Sequence, residues 1–259
     1  MEKKTERIAI LIDGDNAQAK LLKAILEEVA KYGKVTIRRI YGDWTQHNMN
    51  SWKDLLNELS FTPIQKFSYT SGKNSTDGAL IIDAMDILHN GVVDGFCIVS
   101  SDSDYTGLAK RIREEGVFVM GIGVKTTPTA FVQSCEIFTF TDNIVQEAVI
   151  EKQIEASSAK KVNKRVKAVS KAVPEAVKFT KVKLDLIDRA YFMATPEDTG
   201  ILVAVLGTNL RKIDPSFDTR AHGFQTLTRL LESLDQYEIY KPDSSGLGQP
   251  FVRRKQRGK

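Results

Sequence analysis

Residues 7–16 read RIAILIDGDN, a short apolar run that stops at a group of acidic and amide side chains. A second run of the same kind, FCIVSSDSD, occupies residues 96–104. Short apolar runs without alternating polar residues are typical of strands that are buried on both faces of a parallel sheet. The two runs therefore predict two such strands, each followed directly by aspartates.

Strand-like and helix-like segments alternate through the first half of the chain. Leu21, Leu22, Ile25 and Val29 recur at helical spacing within residues 17–31, and residues 75–89 and 105–115 show the same pattern. Alternation of this kind predicts βαβ units, and so an α/β fold with a doubly wound parallel sheet. The predicted strands are residues 7–13, 35–42, 63–69, 95–100, 117–122 and 137–140.

The composition is that of a globular protein. Of the 259 residues, 42% are hydrophobic and 27% are charged, which excludes a disordered chain, a collagen-like fibre and a disulfide scaffold. No apolar run approaches the roughly 20 residues that span a bilayer, and the N-terminus does not resemble a signal peptide. Cys97 and Cys135 lie in apolar segments and need no partner. We therefore expect a reduced, cytoplasmic protein with no membrane partner.

Charge is distributed unevenly along the chain. Residues 1–145 contain 16 Lys and Arg against 19 Asp and Glu, whereas residues 146–259 contain 21 against 14. The basic half is the candidate for a polyanionic partner such as nucleic acid. Its stretch 157–183 holds nine Lys and Arg and predicts a linker, which serves either to bind a polyanion or only as a solvated spacer.

The last part of the chain predicts a small C-terminal winged-helix domain. Helix-like runs at 184–194, 201–210 and 223–234 precede two strand-like segments at 237–240 and 250–253. The predicted organisation is an α/β domain at 1–150, a basic linker at 151–179, a winged-helix domain at 180–253 and a basic tail at 254–259.

Three aspartates are predicted to meet at one edge of the sheet. Asp13 and Asp102 follow two different strands, and Asp77 opens the helix that begins near residue 75. Sites in doubly wound sheets form beyond the carboxyl ends of strands, where the strand order reverses. Clustered carboxylates repel one another unless a cation lies between them, and all-oxygen ligands suit Mg²⁺ or Mn²⁺. Such a site matches the hydrolysis of phosphodiester bonds.

A structural explanation stays open for some of these residues. Asp15 serves equally well as a turn or helix-capping residue. Asp83 lies six residues after Asp77, which rotates it by roughly 240° around a helix, so the two do not share a face.

The ordered motifs of residues 5–145 resemble the NYN domain, a family of PIN-like nucleases. They are IAILIDGDNA, KNSTDGALIIDAMD, CIVSSDSDYTGLAKRIREEG, VFVMGIG and CEIFTF. The resemblance implies a PIN-like sheet and a ribonuclease, expected to be an endonuclease, that depends on Mg²⁺ or Mn²⁺. It implies catalytic roles for Asp13, Asn16, Asp77, Asp102 and Asp104, of which the four aspartates would be metal ligands. It also implies that Asn16, Ser101 and Lys73 contact substrate, although Lys73 is followed by Asn-Ser-Thr where the family often has Gly.

Residues 180–253 resemble the LOTUS, or OST-HTH, winged-helix domain, most clearly in the stretch FDTRAHGF at 217–224. That family is associated with RNA binding and, in some members, with protein partners. The residues expected to contact nucleic acid are Lys160, Lys161, Lys164, Arg165 and Arg220.

The leading hypothesis is thus a metal-dependent ribonuclease with an RNA-binding winged-helix module. A non-catalytic RNA-binding or adaptor protein is the alternative from a different class. A phosphatase with an Asp nucleophile is a further alternative, but Asn16, Ala17 and Gln18 stand where that chemistry requires a hydroxyl. The sequence leaves the RNA target and the oligomeric state undetermined.

Overall fold

The computed structural model describes residues 6–67, 75–145, 180–194, 200–241 and 248–255. The chain divides into two compact units, one ending at Ile144 and the other beginning at Val145. The predicted linker at 151–179 and most of the predicted tail lie outside the described residues, so the domain boundaries stay predictions. Within the described ranges, no helix has both the length and the apolar character needed to cross a membrane.

The first unit is built on a six-stranded parallel sheet, which confirms the predicted fold. The strand order is β3-β2-β1-β4-β5-β6, so the order reverses between β1 and β4. The strands are β1 (Arg7–Asp13), β2 (Lys34–Gly42), β3 (Thr62–Gln65), β4 (Gly95–Val99), β5 (Phe118–Gly123) and β6 (Ile137–Phe140). The third strand ends at Gln65 rather than at residue 69, and Lys66 and Phe67 lie outside the sheet.

Helices cover both faces of this sheet. They are α1 (Leu22–Ala30), α2 (Lys53–Glu58), α3 (Ser75–His89), α4 (Thr106–Glu114) and α5 (Thr129–Ser134). Alternate side chains of β1 point to opposite faces: Ile8, Ile10 and Ile12 pack in a core with α1 and α2. Ala9 and Leu11 pack in a second core with α3, α4 and α5. Burial on both faces explains why the strand sequences show no polar alternation.

Gly121 in β5 shows how tightly the second core is packed. A Cβ at this position would lie 2.6 Å from the Phe138 ring and 2.9 Å from Cys135 Sγ. We expect Gly121→Ala to lower the free energy of unfolding by about 2 kcal/mol, the usual cost of overpacking a core. Urea denaturation measures this loss. Gly107→Ala is the matched control, because nothing lies within 4 Å of its added Cβ, and a similar loss there would contradict the packing argument.

In its described residues, the second unit has three α-helices and a three-stranded antiparallel sheet, as the winged-helix prediction requires. Its elements are α6 (Leu184–Phe192), β7 (Ile201–Leu202), α7 (Val203–Ile213), α8 (Leu227–Glu232), β8 (Tyr237–Tyr240) and β9 (Phe251–Arg254), with the sheet order β7-β9-β8. A separate core holds the unit together, and it includes Ile187, Leu206, Leu230 and Val252.

Two predicted helices of this unit begin too early. Ile201 and Leu202, predicted to be helical, instead pair with β9, a contact some 50 residues away that helical periodicity cannot reveal. The third helix begins four residues late. Gly223 has a φ of 85° and ends a 3₁₀ turn, and the Thr226 side chain then caps α8 by accepting a hydrogen bond from the Arg229 N–H.

Candidate metal centre

Asp13 ends β1 and its side chain is buried, with 1% of the residue exposed. Its Oδ2 accepts hydrogen bonds from Asn16 Nδ2 at 2.6 Å and from Ser100 Oγ at 3.0 Å. Its Oδ1 accepts one from the Asp15 N–H at 3.2 Å. Burial raises the pKa of Asp13, the Asn16 and Ser100 hydrogen bonds oppose that shift, and the nearby charge of Asp77 adds to it. The side chain is therefore fixed in place by its donors in an environment that disfavours its charge.

Asp77 lies in the first turn of α3, a helix that packs against β1 and β2. It is 8% exposed, and its Oδ1 accepts a hydrogen bond of 2.6 Å from the Tyr105 hydroxyl. Burial raises the pKa of Asp77, the Tyr105 hydrogen bond lowers it, and the charges of Asp102 and Asp104 raise it further. The carboxylates of α3 and of the loop after β4 therefore lie close enough to repel each other.

Asp102 and Asp104 lie in the loop between β4 and α4. Asp102 caps the short 3₁₀ turn Ser103–Tyr105, because its Oδ1 accepts a hydrogen bond from the Asp104 N–H at 3.0 Å. The Asp102 N–H in turn donates to Ser100 Oγ at 3.1 Å. Asp102 is partly buried and Asp104 is exposed.

Three of the predicted aspartates meet in a group that we call the carboxylate trio: Asp77, Asp102 and Asp104. Each offers one oxygen, and these oxygens lie within 4.8 Å of one another. The donor set fits Mg²⁺ or Mn²⁺, which prefer carboxylate oxygens, and a cation would relieve the repulsion that raises the pKa of Asp77. Asp13 is not part of the trio, but it lies near enough for the charge of Asp77 to raise its pKa.

The other predicted substrate contacts are placed near this edge or lie outside the described residues. Asn16 is exposed and donates to Asp13. Ser101 Oγ accepts the Val124 N–H at 2.9 Å, which leaves its hydroxyl proton available to a ligand. The predicted contacts outside the described residues are Lys73, Lys160, Lys161, Lys164 and Arg165.

Two charged residues considered from the sequence are engaged in structural pairs. Asp83 accepts hydrogen bonds from Arg39 and from the Tyr41 hydroxyl, which hold α3 against β2. Arg220, predicted to contact nucleic acid, is only 9% exposed, and its Nε donates to both oxygens of Asp218 at 3.0 Å. The charge of Arg220 is thus balanced inside the second unit.

Sequence reasoning missed two residues that organise the site. Ser100 links Asp13 to the Asp102 backbone, and Tyr105 holds Asp77. Ser100 ends the apolar run of β4 and Tyr105 follows the last acidic residue of the motif. That position next to the motif is the one signal that pointed to them.

Asp43 shows that an aspartate after a strand need not belong to the site. It directly follows β2, and its carboxylate accepts hydrogen bonds from the Thr45 hydroxyl and N–H and from the side chains of Gln46 and Gln65. These hydrogen bonds, the one from the Thr45 side chain foremost, lower the pKa of Asp43. Because its donors are supplied by the protein itself, Asp43 is a fixed structural anion.

Comparison with known families decides the affiliation of the first unit. The NYN domain matches residues 7–145, which is more than half of the chain. This chain belongs to the NYN domain family. The family is part of the PIN-like nuclease superfamily, and the reversal of strand order in this NYN domain lies beside Asp13 and the trio. The OST-HTH/LOTUS domain matches residues 166–248, beginning within the stretch predicted as a linker, and it suggests RNA binding.

Individual relatives of this NYN protein do not add an activity. It is 27% identical over 170 residues to an uncharacterized protein of Methanocaldococcus jannaschii, a match that covers 64% of this chain. The match spans 65% of that relative's length. A crystal structure of a protein of unknown function from Vibrio parahaemolyticus is similar with a TM-score of 0.46 and 20% identity, covering 56% of this chain and 98% of that one.

Proposed function

We propose that the NYN domain of this protein hydrolyses phosphodiester bonds of RNA with the help of Mg²⁺ or Mn²⁺. The observation that carries the proposal is the carboxylate trio at the switch point of a PIN-like sheet. Carboxylates that lie this close together repel one another, and a hard cation bound between them would offset that repulsion. The family affiliation independently favours nuclease chemistry.

Each residue of the site has a proposed task. Asp77, Asp102 and Asp104 would hold the cation, and Asp13 would supply a fourth carboxylate, directly or through water. When bound, the cation supplies a polarised water and offsets the charge of the scissile phosphate. Asn16 and Ser100 keep the Asp13 carboxylate in one orientation.

Proposed substrate contacts surround this centre. Ser101 retains a hydroxyl proton that can be donated to a phosphate oxygen. Asn16 and Lys73 are proposed to contact the same RNA strand. The basic residues of 151–179 and the LOTUS domain would raise the local concentration of RNA at the nuclease domain. Endonucleolytic cleavage, a protein partner of the LOTUS domain and a cytoplasmic location belong to the same proposal.

A metal titration tests the proposal. The full chain should cleave a labelled single-stranded RNA when Mn²⁺ or Mg²⁺ is supplied, and cleavage should stop when a chelator removes the ion. The products separate on a denaturing gel, and their ends distinguish internal from terminal cleavage. Cleavage that continues unchanged in the chelator would contradict the metal-dependent mechanism. Binding of RNA with no cleavage in Mn²⁺ would favour the non-catalytic adaptor.

A further inference from the structure

The second unit presents two arginines over aromatic rings at the end of β9. Arg253 lies with its guanidinium carbon 5.2 Å from the centroid of the Tyr240 ring. Arg254 lies 5.5 Å from the centroid of the Phe192 ring, at the end of α6. We call Phe192, Tyr240, Phe251, Arg253 and Arg254 the aromatic–arginine edge.

Strand register places these side chains on both faces of the small sheet. Tyr240 pairs with Phe251 across β8 and β9, and their ring centroids are 6.0 Å apart. Val252 is fully buried in the core, so its neighbours Phe251 and Arg253 point to the opposite, outer face. Arg254 returns to the inner side, where it reaches the end of α6. The edge therefore offers aromatic faces on both sides of one strand.

The ring of Phe192 is unusually accessible. Phe192 is 55% exposed and the next residue, Met193, is 51% exposed. Tyr191 and Arg254 cover part of the Phe192 side chain, and its exposed half forgoes part of the roughly 2 kcal/mol that full burial of a phenylalanine provides. An accessible ring beside a guanidinium offers a planar apolar surface together with a positive charge.

The charges at this edge favour an anionic ligand. Arg253 and Arg254 are 50% and 40% exposed, and each makes one ion pair, with Glu238 at 2.9 Å and with Asp188 at 3.3 Å. Lys241 and Lys255 are also exposed. The sequence that starts in β9 reads RRKQRGK, with five basic residues and no acidic one. Positive charge therefore exceeds negative charge around the exposed Phe192 ring.

We infer that the aromatic–arginine edge binds single-stranded RNA. An unpaired base would stack on the exposed Phe192 ring, and the guanidinium groups of Arg253 and Arg254 would contact the phosphates. An unpaired nucleotide needs a flat apolar surface for its base and a positive charge for its phosphate, and this edge offers both. A folded protein partner does not need this combination. The inference rests on the proposed function for its ligand, RNA, and requires no cleavage.

Equilibrium binding of a fluorescein-labelled single-stranded RNA by the full chain tests this inference. A chelator is present throughout, so the measurement is independent of the carboxylate trio. We expect Phe192→Ala to weaken binding about 10-fold, in the range known for loss of one stacked base, with an unchanged salt dependence. Phe192→Trp should bind like the wild type, whereas Phe192→Leu should bind as weakly as Phe192→Ala.

Substitutions of charge give a second and different signature. Arg253→Ala should weaken binding and reduce the slope of log affinity against log salt by about 0.7, the value for one phosphate contact on a single strand. Glu238→Gln should strengthen binding about 3-fold, because it removes the carboxylate that competes with phosphate for Arg253. The matched controls are Val205→Ala, an exposed apolar residue of α7, and Arg229→Ala, an exposed arginine of α8. Neither should change the affinity.

Several outcomes would overturn the inference. The first is that the wild-type chain does not bind RNA. The second is that Phe192→Ala and Arg253→Ala both bind RNA with unchanged affinity. The third is that Phe192→Leu binds as well as the wild type, which would indicate that Phe192 makes an apolar contact with a protein. Because these substituted side chains are exposed, circular dichroism should show an unchanged fold. A chain that binds RNA through this edge but never cleaves it would contradict the proposed function and leave this inference standing.

Discussion

Replacing Asp77 with Asn is expected to lower the rate of Mn²⁺-dependent RNA cleavage about 10²–10³-fold, the usual cost of removing one preorganised electrostatic group from an active site. Asparagine keeps the size of the side chain and keeps an oxygen that can accept the Tyr105 hydrogen bond. What the substitution removes is one of the three negative charges of the trio. Initial rates at a fixed Mn²⁺ concentration measure the loss.

The same substitution should stabilise the metal-free protein. The pKa of Asp77 is raised in the folded state, so its ionisation costs folding free energy at neutral pH. Asp77→Asn removes that cost and should raise the free energy of unfolding in chelator at pH 7.5. The difference in unfolding free energy between Asp77→Asn and the wild type should shrink as the pH falls through the raised pKa, because the wild-type carboxyl then takes up a proton.

Asp86→Asn is the matched control, because Asp86 is an exposed residue of the same helix. It should change neither the rate of cleavage nor the metal-free stability. A loss of stability of Asp77→Asn in the chelator, with normal cleavage in Mn²⁺, would show that Asp77 supports the fold and not the metal.

Tyr105→Phe is expected to weaken Mn²⁺ binding at least 10-fold, as loss of a residue that orients a metal ligand commonly does. The hydroxyl donates to Asp77 Oδ1 at 2.6 Å from a fully buried position. Burial raises the pKa of Tyr105 far above its usual range, so the group stays protonated and remains a donor. Phenylalanine keeps the ring that packs near Phe131, with 6.3 Å between the ring centroids. Calorimetric titration with Mn²⁺ measures the affinity.

A positioning role for Tyr105 predicts that cleavage recovers at saturating Mn²⁺, since the ligands themselves are intact. Tyr41→Phe is the matched control, because the buried Tyr41 hydroxyl donates to Asp83, a carboxylate outside the trio. It should reduce stability without changing the Mn²⁺ affinity. Equal affinity losses in both variants would assign the effect to general loosening of the fold.

The sheet of the first unit could be predicted from the sequence because most of its strands are recognisable from their own residues. The central strands β1, β4 and β5 are continuous apolar runs that are buried on both faces, whereas β2 and β3 include polar or partly exposed residues. The two-residue strand β7 could not be predicted, because Ile201 and Leu202 are strand only through their pairing with Val252 and Phe251. The late start of α8 instead follows from local structure, since a left-handed Gly223 ends the preceding turn and Thr226 caps the helix.

Residues of the candidate site could be predicted where a carboxylate stands at the end of a strand. They could not be predicted where the role of a side chain depends on hydrogen-bond donors from other parts of the chain. Asp13 is the last residue of β1 and Asp43 directly follows β2. Asp13 lies at the switch point, whereas the carboxylate of Asp43 accepts hydrogen bonds from Thr45 and Gln65. A sequence pattern does not reveal a hydrogen-bond donor such as Gln65, which lies 22 residues from Asp43 in the chain. For the same reason Arg220 appeared available to RNA, although Asp218 holds it within the fold.

The hydroxyl of Ser100 makes the two halves of the metal centre interdependent. It donates its single proton to Asp13 and accepts the N–H of Asp102, so neither loop can move without altering the hydrogen bonds of the other. Energetic effects of substitutions at Asp13 and Ser100 will consequently be non-additive, and a double-mutant cycle would give a non-zero coupling energy. The strand ends of β1 and β4 thus respond to a ligand as one cooperative element and not as separate side chains.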